Sequence, residues 1–144
     1  RPVILLDDAH EMRPEVLRLL RVLTNFEMDS RLVVSFIICG QTPLKQILMR
    51  PDMEDVLQRL AYCGELRLLN REETKAYVNH RCMIAGLRDA PFDQSALDAI
   101  YEITHGNMRA IDKIALASLA VTDEKDRSLV EAPDVAEARS KSWM

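Results

Sequence analysis

Two adjacent carboxylates, Asp7 and Asp8, follow directly on the aliphatic run Val3 to Leu6. Like charges crowded at the end of a buried segment repel each other, so a cation is expected beside them. The chemistry open to such a pair is a Mg²⁺ ion on Asp7 and an oriented water at Asp8. The bland alternative is a helix cap or turn, because a helix begins a few residues on, near Pro14. Other reactive side chains form no set. His10, His80 and His105 lie far apart without ligand spacing. Ser35 lies inside an apolar run and lacks the glycines of a nucleophile elbow. The chain has four glycines, none of them ahead of a Lys-Ser or Lys-Thr pair, so it contains no GxxxxGK[ST] phosphate loop.

The elements around the pair read as a parallel crossover unit. Val3 to Leu6 has the branched, continuous character of a strand covered on both faces. Pro14 suits the first turn of a helix whose Val16, Leu19, Leu20, Leu23 and Phe26 form the expected inward stripe, leaving Arg18 and Arg21 outward. A second buried strand, "LVVSFIIC" from Leu32 to Cys39, stops at Gly40, with Pro43 just beyond. Ligands of such units bind outside the carboxyl ends of the strands. That rule puts Asp7, Asp8 and the "GQTP" turn on one rim. Two short helical stretches, broken by Pro51, follow between Leu44 and Leu60, and "GELRLL" alternates as a final strand over residues 64 to 69.

From residue 70 the pattern becomes helical throughout, which divides the chain into 1–69 and 70–144. Asn70 and Glu73 predict a capping box, with Tyr77, Val78, Cys82 and Ala85 inward and Gly86 as the stop. Asp93 predicts the cap of a helix with Leu97, Ile100, Tyr101 and Thr104 on one side. "HGNMR" breaks it, and a further helix runs from about Asn107 to Val121 with Met108, Ile111, Ala115 and Leu119 inward. "TDEKDRS" is expected to be a surface loop, and Pro133 opens a last short helix.

Composition narrows the class. A chain of 144 residues with 48% hydrophobic content can bury a real core. The net charge of -4 argues against a general attraction to nucleic acid, though not against a local patch. No run is long enough to span a membrane, no basic-then-apolar leader is present, and Cys39, Cys63 and Cys82 are spaced like buried thiols in a reducing compartment. The expected location is cytoplasmic. A chain that opens at Arg1 and enters a strand at once reads as a fragment of a longer one.

"VILLDDAHEM" resembles the Walker B strand of AAA+ ATPases, specifically the ExeA-type general-secretion ATPases and the transposition-associated Mu B, TniB and TnsC proteins. "FIICGQTPLKQIL" resembles the following strand and its turn, "LNREETKAYVNHRCMIAG" the first lid helix, and "HGNMRAIDKIALASLA" the sensor 2 helix. The resemblance implies an α/β fold class: the second half of a parallel-sheet P-loop NTPase core, followed by a small all-helical lid. It implies that Asp7 holds magnesium and that Asp8 stands in place of the usual catalytic glutamate. Aspartate is one methylene shorter, so slower hydrolysis is expected. Gln41 matches the sensor 1 region that feels the γ-phosphate, with a plain turn residue as the alternative. Arg59 stands where relatives place an arginine that reaches a neighbouring subunit's nucleotide, and Arg50 is a weaker rival. Arg109 matches the sensor 2 arginine that links the lid to the nucleotide.

The implied cofactors are ATP and Mg²⁺, bound together with an upstream half that carries the phosphate loop; these residues alone are expected to be inactive. The implied assembly is a homo-oligomer with an arginine acting in trans. Two functional classes follow: a regulator that assembles on duplex DNA and activates a transposase, which the sensor 2 motif favours, or an ATPase serving a secretion apparatus at the inner membrane. A non-catalytic oligomerisation module is the third reading, and the joint presence of Asp7, Gln41, Arg59 and Arg109 argues against it.

Overall fold

A computed structural model describes residues 2–24 and 34–141. The chain divides into two compact units, Arg1–Gly64 and Glu65–Met144.

In the first unit, β1 (Val3–Leu6) and β2 (Ser35–Ile38) pair in parallel, Val3 opposite Ser35 and Leu6 opposite Ile38. The helices are α1 (Pro14–Thr24), α2 (Thr42–Leu48) and α3 (Glu54–Leu57), with short 3₁₀ turns at Ala9–Glu11 and Pro51–Met53. Ala9, Leu17, Leu44, Leu48, Met53 and Val56 form the core, with Met12, Leu20, Ile38, Ile47 and Leu60 packed on it. The strands are therefore real, yet their expected burial is not found: Val3, Ile4 and Leu5 are exposed. A parallel strand is hidden only where helices or further strands cover both faces, and among the described residues the helices pack on the Leu17 and Leu44 side instead. The α1 stripe is also shifted. Leu17 is fully buried and Leu20 half-buried, while Leu19 is 61% exposed and Val16 and Leu23 are exposed. Arg21 turns onto α3 and pairs with Asp55 at 2.9 Å, whereas Arg18 reaches only Glu15 at 3.8 Å. Phe26, Leu32 and Val33 of the expected elements lie outside the described residues.

The second unit holds α4 (Arg71–Ile84), α5 (Gln94–Thr104), α6 (Met108–Asp123) and α7 (Ala132–Lys141). Val78, Phe92, Leu97, Ile100, Ile111, Ile114, Val121 and Val135 lead its core. The two expected caps form, and Asn107 adds a third that was not anticipated. Asn70 and Glu73 form a reciprocal capping box, Asp93 accepts from Ala96 N–H, and Asn107 accepts from Ala110 N–H.

Four expectations need correction here. "GELRLL" is no strand: it has no strand to pair with among the described residues, and Leu66 is 97% exposed. Met108 is 49% exposed, because the buried face of α6 begins at Ile111 and Ile114. Cys39 and Cys63 are exposed and only Cys82 is buried; Cys39 follows the last residue of β2 and Cys63 sits in an irregular segment. "TDEKDRS" is more than a loop, since Lys125 and Arg127 close on the fully buried Asp134 carboxylate. Hydrogen bonding from Lys125 holds that carboxyl at about 2, against the opposing effect of burial.

Candidate functional site

The rim at the carboxyl ends of the strands is built by continuing the ladder past its last pair. Cys39 N–H donates to Leu6 C=O at 2.8 Å, and Ala9 N–H donates to Cys39 C=O at 2.9 Å. These bonds bring the Asp7-Asp8 turn alongside Gly40 and Gln41. The approach is close at Gly40, where a Cβ would lie 2.9 Å from Leu44 Cδ2 and 3.1 Å from the His10 backbone nitrogen. Pro43 sits in the first turn of α2, where its missing N–H is harmless, and Gln41 is the N-cap residue.

Asp7 and Asp8 are both exposed. Asp8 N–H donates to Asp7 Oδ1 at 2.9 Å, which fixes one Asp7 oxygen. Asp8 itself adopts left-handed backbone, φ 48° and ψ 33°, as the N-cap of the 3₁₀ turn. Asp and Asn enter that region more readily than other side-chain-bearing residues. Glu11 N–H donates to Asp8 C=O at 2.9 Å and closes the turn.

One residue of the rim was read only as an isolated histidine. The His10 side chain is nearly buried, and its Nδ1 accepts from Gln41 N–H at 3.4 Å while lying 3.8 Å from Asp8 Oδ1. The other ring nitrogen, Nε2, lies 3.4 Å from Glu11 Oε1. His10 thus joins the carboxylate turn to the Gln41 turn across 31 positions of sequence. Only its place two residues after Asp8 hinted at this.

The structure brings together Asp7, Asp8 and Gln41. Arg59 belongs to the same unit and follows α3, exposed, with its N–H on Val56 C=O at 3.1 Å. Arg50 is engaged by Asp52 at 3.1 Å. Arg109 belongs to the second unit, exposed in the first turn of α6, two residues after its Asn107 cap.

The donor set fits Mg²⁺ in one particular way. Exposed carboxylates are the hard oxygen ligands this ion takes, and it is usually held by one or two of them, with waters and phosphate oxygens completing the shell. Among the described residues no three ligating side chains gather into a protein cage. Asp7 and Asp8 could supply one or two such ligands.

Solved structures share this fold of a parallel strand pair packed by helices and followed by a four-helix unit. The Holliday junction branch migration motor RuvB of Thermotoga maritima superposes with a TM-score of 0.72 at 16% identity, over 96% of this chain and 43% of that one. A point mutant of the same protein gives 0.73 at 16% identity, over 96% and 44%. In sequence, the chain is similar to general secretion pathway protein A of Aeromonas hydrophila, 32% identical over 132 residues. That match covers 92% of this chain and 22% of the relative, so the chain spans under a quarter of that protein's length. No family model matches it.

Proposed function

We propose that these residues are the cation- and water-handling part of an AAA+ ATPase, together with its lid, and that the longer protein hydrolyses ATP to drive a larger assembly. The observation that carries the reading is the rim itself: two exposed carboxylates locked by Cys39, Ala9 and His10 against the Gln41 turn. In this reading Asp7 would hold Mg²⁺ together with the nucleotide phosphates, where the ion would offset phosphate charge. Asp8 accepts a proton from, and orients, the attacking water. Gln41 hydrogen-bonds the terminal phosphate, Arg109 contacts the nucleotide from the lid, and Arg59 serves the nucleotide of a neighbouring copy, its planar fork matching phosphate oxygens. Activity then needs an upstream phosphate-binding half and a homo-oligomer, in the cytoplasm.

The similarity to general secretion pathway protein A supports work in a secretion pathway, and this reading puts that work at the inner membrane. The alternative, a regulator bound to duplex DNA and a transposase, rests on the α6 motif alone. The test is ATP turnover by the longer protein with and without duplex DNA. Turnover indifferent to DNA fits the secretion role, a rise with DNA transfers the reading to the DNA regulator, and no turnover under either condition refutes the ATPase.

A further inference from the structure

The turn between α5 and α6 is held from outside by the segment that leads into α4. Gly106 is buried there at φ 80°, after His105 at φ 47°. A Cβ on Gly106 would collide with the Leu69 carbonyl oxygen and lie 2.7 Å from both the Leu69 carbonyl carbon and its nitrogen. All of these are backbone atoms, so the chains would have to separate. With no side chain in the way, Leu69 N–H donates to Gly106 C=O at 3.0 Å. The residues before Leu69 are clamped too. The Arg67 guanidinium makes two 2.6 Å bonds to the Glu73 carboxylate and a 3.1 Å bond to Leu68 C=O. Glu73 also accepts from Asn70 N–H at 2.9 Å within the capping box. An irregular stretch is thereby fixed to α4 on one side and to the α5–α6 turn on the other.

Arg109 lies three residues beyond Gly106, with only the Asn107 cap and Met108 between them. The geometry points to Gly106 as a positioning residue: its backbone crossing with Leu69 sets the direction in which α6 leaves its cap, and so the placement of Arg109 against nucleotide. The crossing also ties that placement to residues 67–69, so a displacement of this segment carries Arg109 with it. This rests on the reading of Arg109 as a nucleotide contact. A glycine here is then required by the approach of Leu69 as much as by its own left-handed φ.

The test is a double-mutant cycle in the longer protein that carries the phosphate-binding half, read as the affinity for a fluorescent ATP analogue and as separate KM and kcat values. Gly106→Ala is expected to weaken analogue binding about 10-fold, and to cost almost nothing further once Arg109→Ala is present, because the two act as one unit. Arg67→Ala, which loosens the segment without adding bulk, is expected to give a smaller loss that also disappears in the Arg109→Ala background. It serves in place of Gly106→Ala if that variant does not fold. Losses that add to that of Arg109→Ala, or the absence of any loss, overturn the positioning role while leaving Arg109 as a nucleotide contact. Wild-type affinity in Arg109→Ala alone overturns the nucleotide reading itself, and the positioning role with it.

Discussion

Asp8 is the position where backbone and chemistry make opposite demands, and its substitution separates them. Its φ of 48° and ψ of 33° lie in the left-handed region. That region costs an ordinary L-residue roughly 1–2 kcal/mol and is entered routinely only by Gly and, less often, Asn and Asp. The side chain is 73% exposed, so changing it empties no core and any stability change comes from the backbone. Asp8→Asn keeps the tolerated conformation and the N–H bond to Asp7, and removes only the charge. We expect its melting temperature to be unchanged and ATP turnover to fall about 100-fold, the lower range of a general base's contribution. Asp8→Glu restores the reach of the glutamate found in the resembled family but loses about 1 kcal/mol of the first unit's stability. For a unit of this size the melting midpoint should drop by about 4–8 °C. Circular dichroism of the 144-residue chain reads the stability, and phosphate release by the longer protein reads the turnover. Wild-type turnover in Asp8→Asn would remove Asp8 from the chemistry. An unshifted melt in Asp8→Glu would refute the argument that the left-handed turn selects aspartate.

His10→Ala deprives Gln41 N–H of its acceptor, and we expect turnover to fall about 10-fold with ATP affinity nearly intact; the same loss in a Gln41→Ala background would show that the link is idle. Asp134→Asn keeps an acceptor for Glu131 N–H, 3.0 Å away, but loses the charge that receives Lys125 and Arg127. Charge-assisted bonds of this kind contribute about 1.5–3 kcal/mol, so the second unit's midpoint should fall by roughly 10 °C, and an unchanged melt would contradict the clamp. Acid should act on the same groups. Asp134, Asp98 and Glu73 are held at about 2 by hydrogen bonds chiefly from Lys125, Arg71 and Arg67, below the ordinary carboxylate range. Depressed folded values mean that their stabilisation is complete above about pH 4.5 and is lost as pH falls towards 2. Urea midpoints measured between about pH 6 and 2.5 should therefore decline, less steeply in Asp134→Asn, and a flat profile would rule this out.

What could be read from the sequence was what short range decides. Asn70 and Asp93 cap their helices through bonds to residues three positions on, so the local spelling sufficed. The strand-helix-strand order followed from branched runs and Pro14. Which side of α1 is buried did not, because Val16, Leu17, Leu19, Leu20, Val22 and Leu23 give the helix more than one apolar face, and only the packing partner selects Leu17. "GELRLL" alternates well enough for a strand, but a ladder needs a neighbour, which no local pattern supplies. The end of β1 at the Asp7-Asp8 pair was legible too, since the apolar run stops there. The His10 bond to Gln41 and the Leu69 approach to Gly106 span 31 and 37 positions, and nothing in the flanking residues encodes them.

Those two long-range contacts do the same kind of work in different units. Each ties a turn that the proposed mechanism uses, the one at Asp8 and the one before Arg109, to a distant backbone group. The first unit has its own core around Leu17 and Met53, and the second its own around Ile100 and Ile111. A core substitution therefore acts directly on the unit that contains it. Loss of activity without loss of stability then has few structural sources: the rim, the α6 turn, or the exposed stretch through Tyr62 and Leu66 that links the units. His10→Ala, Arg67→Ala and a lengthening of that stretch sort these sources, because none of them adds or removes a side chain in either core.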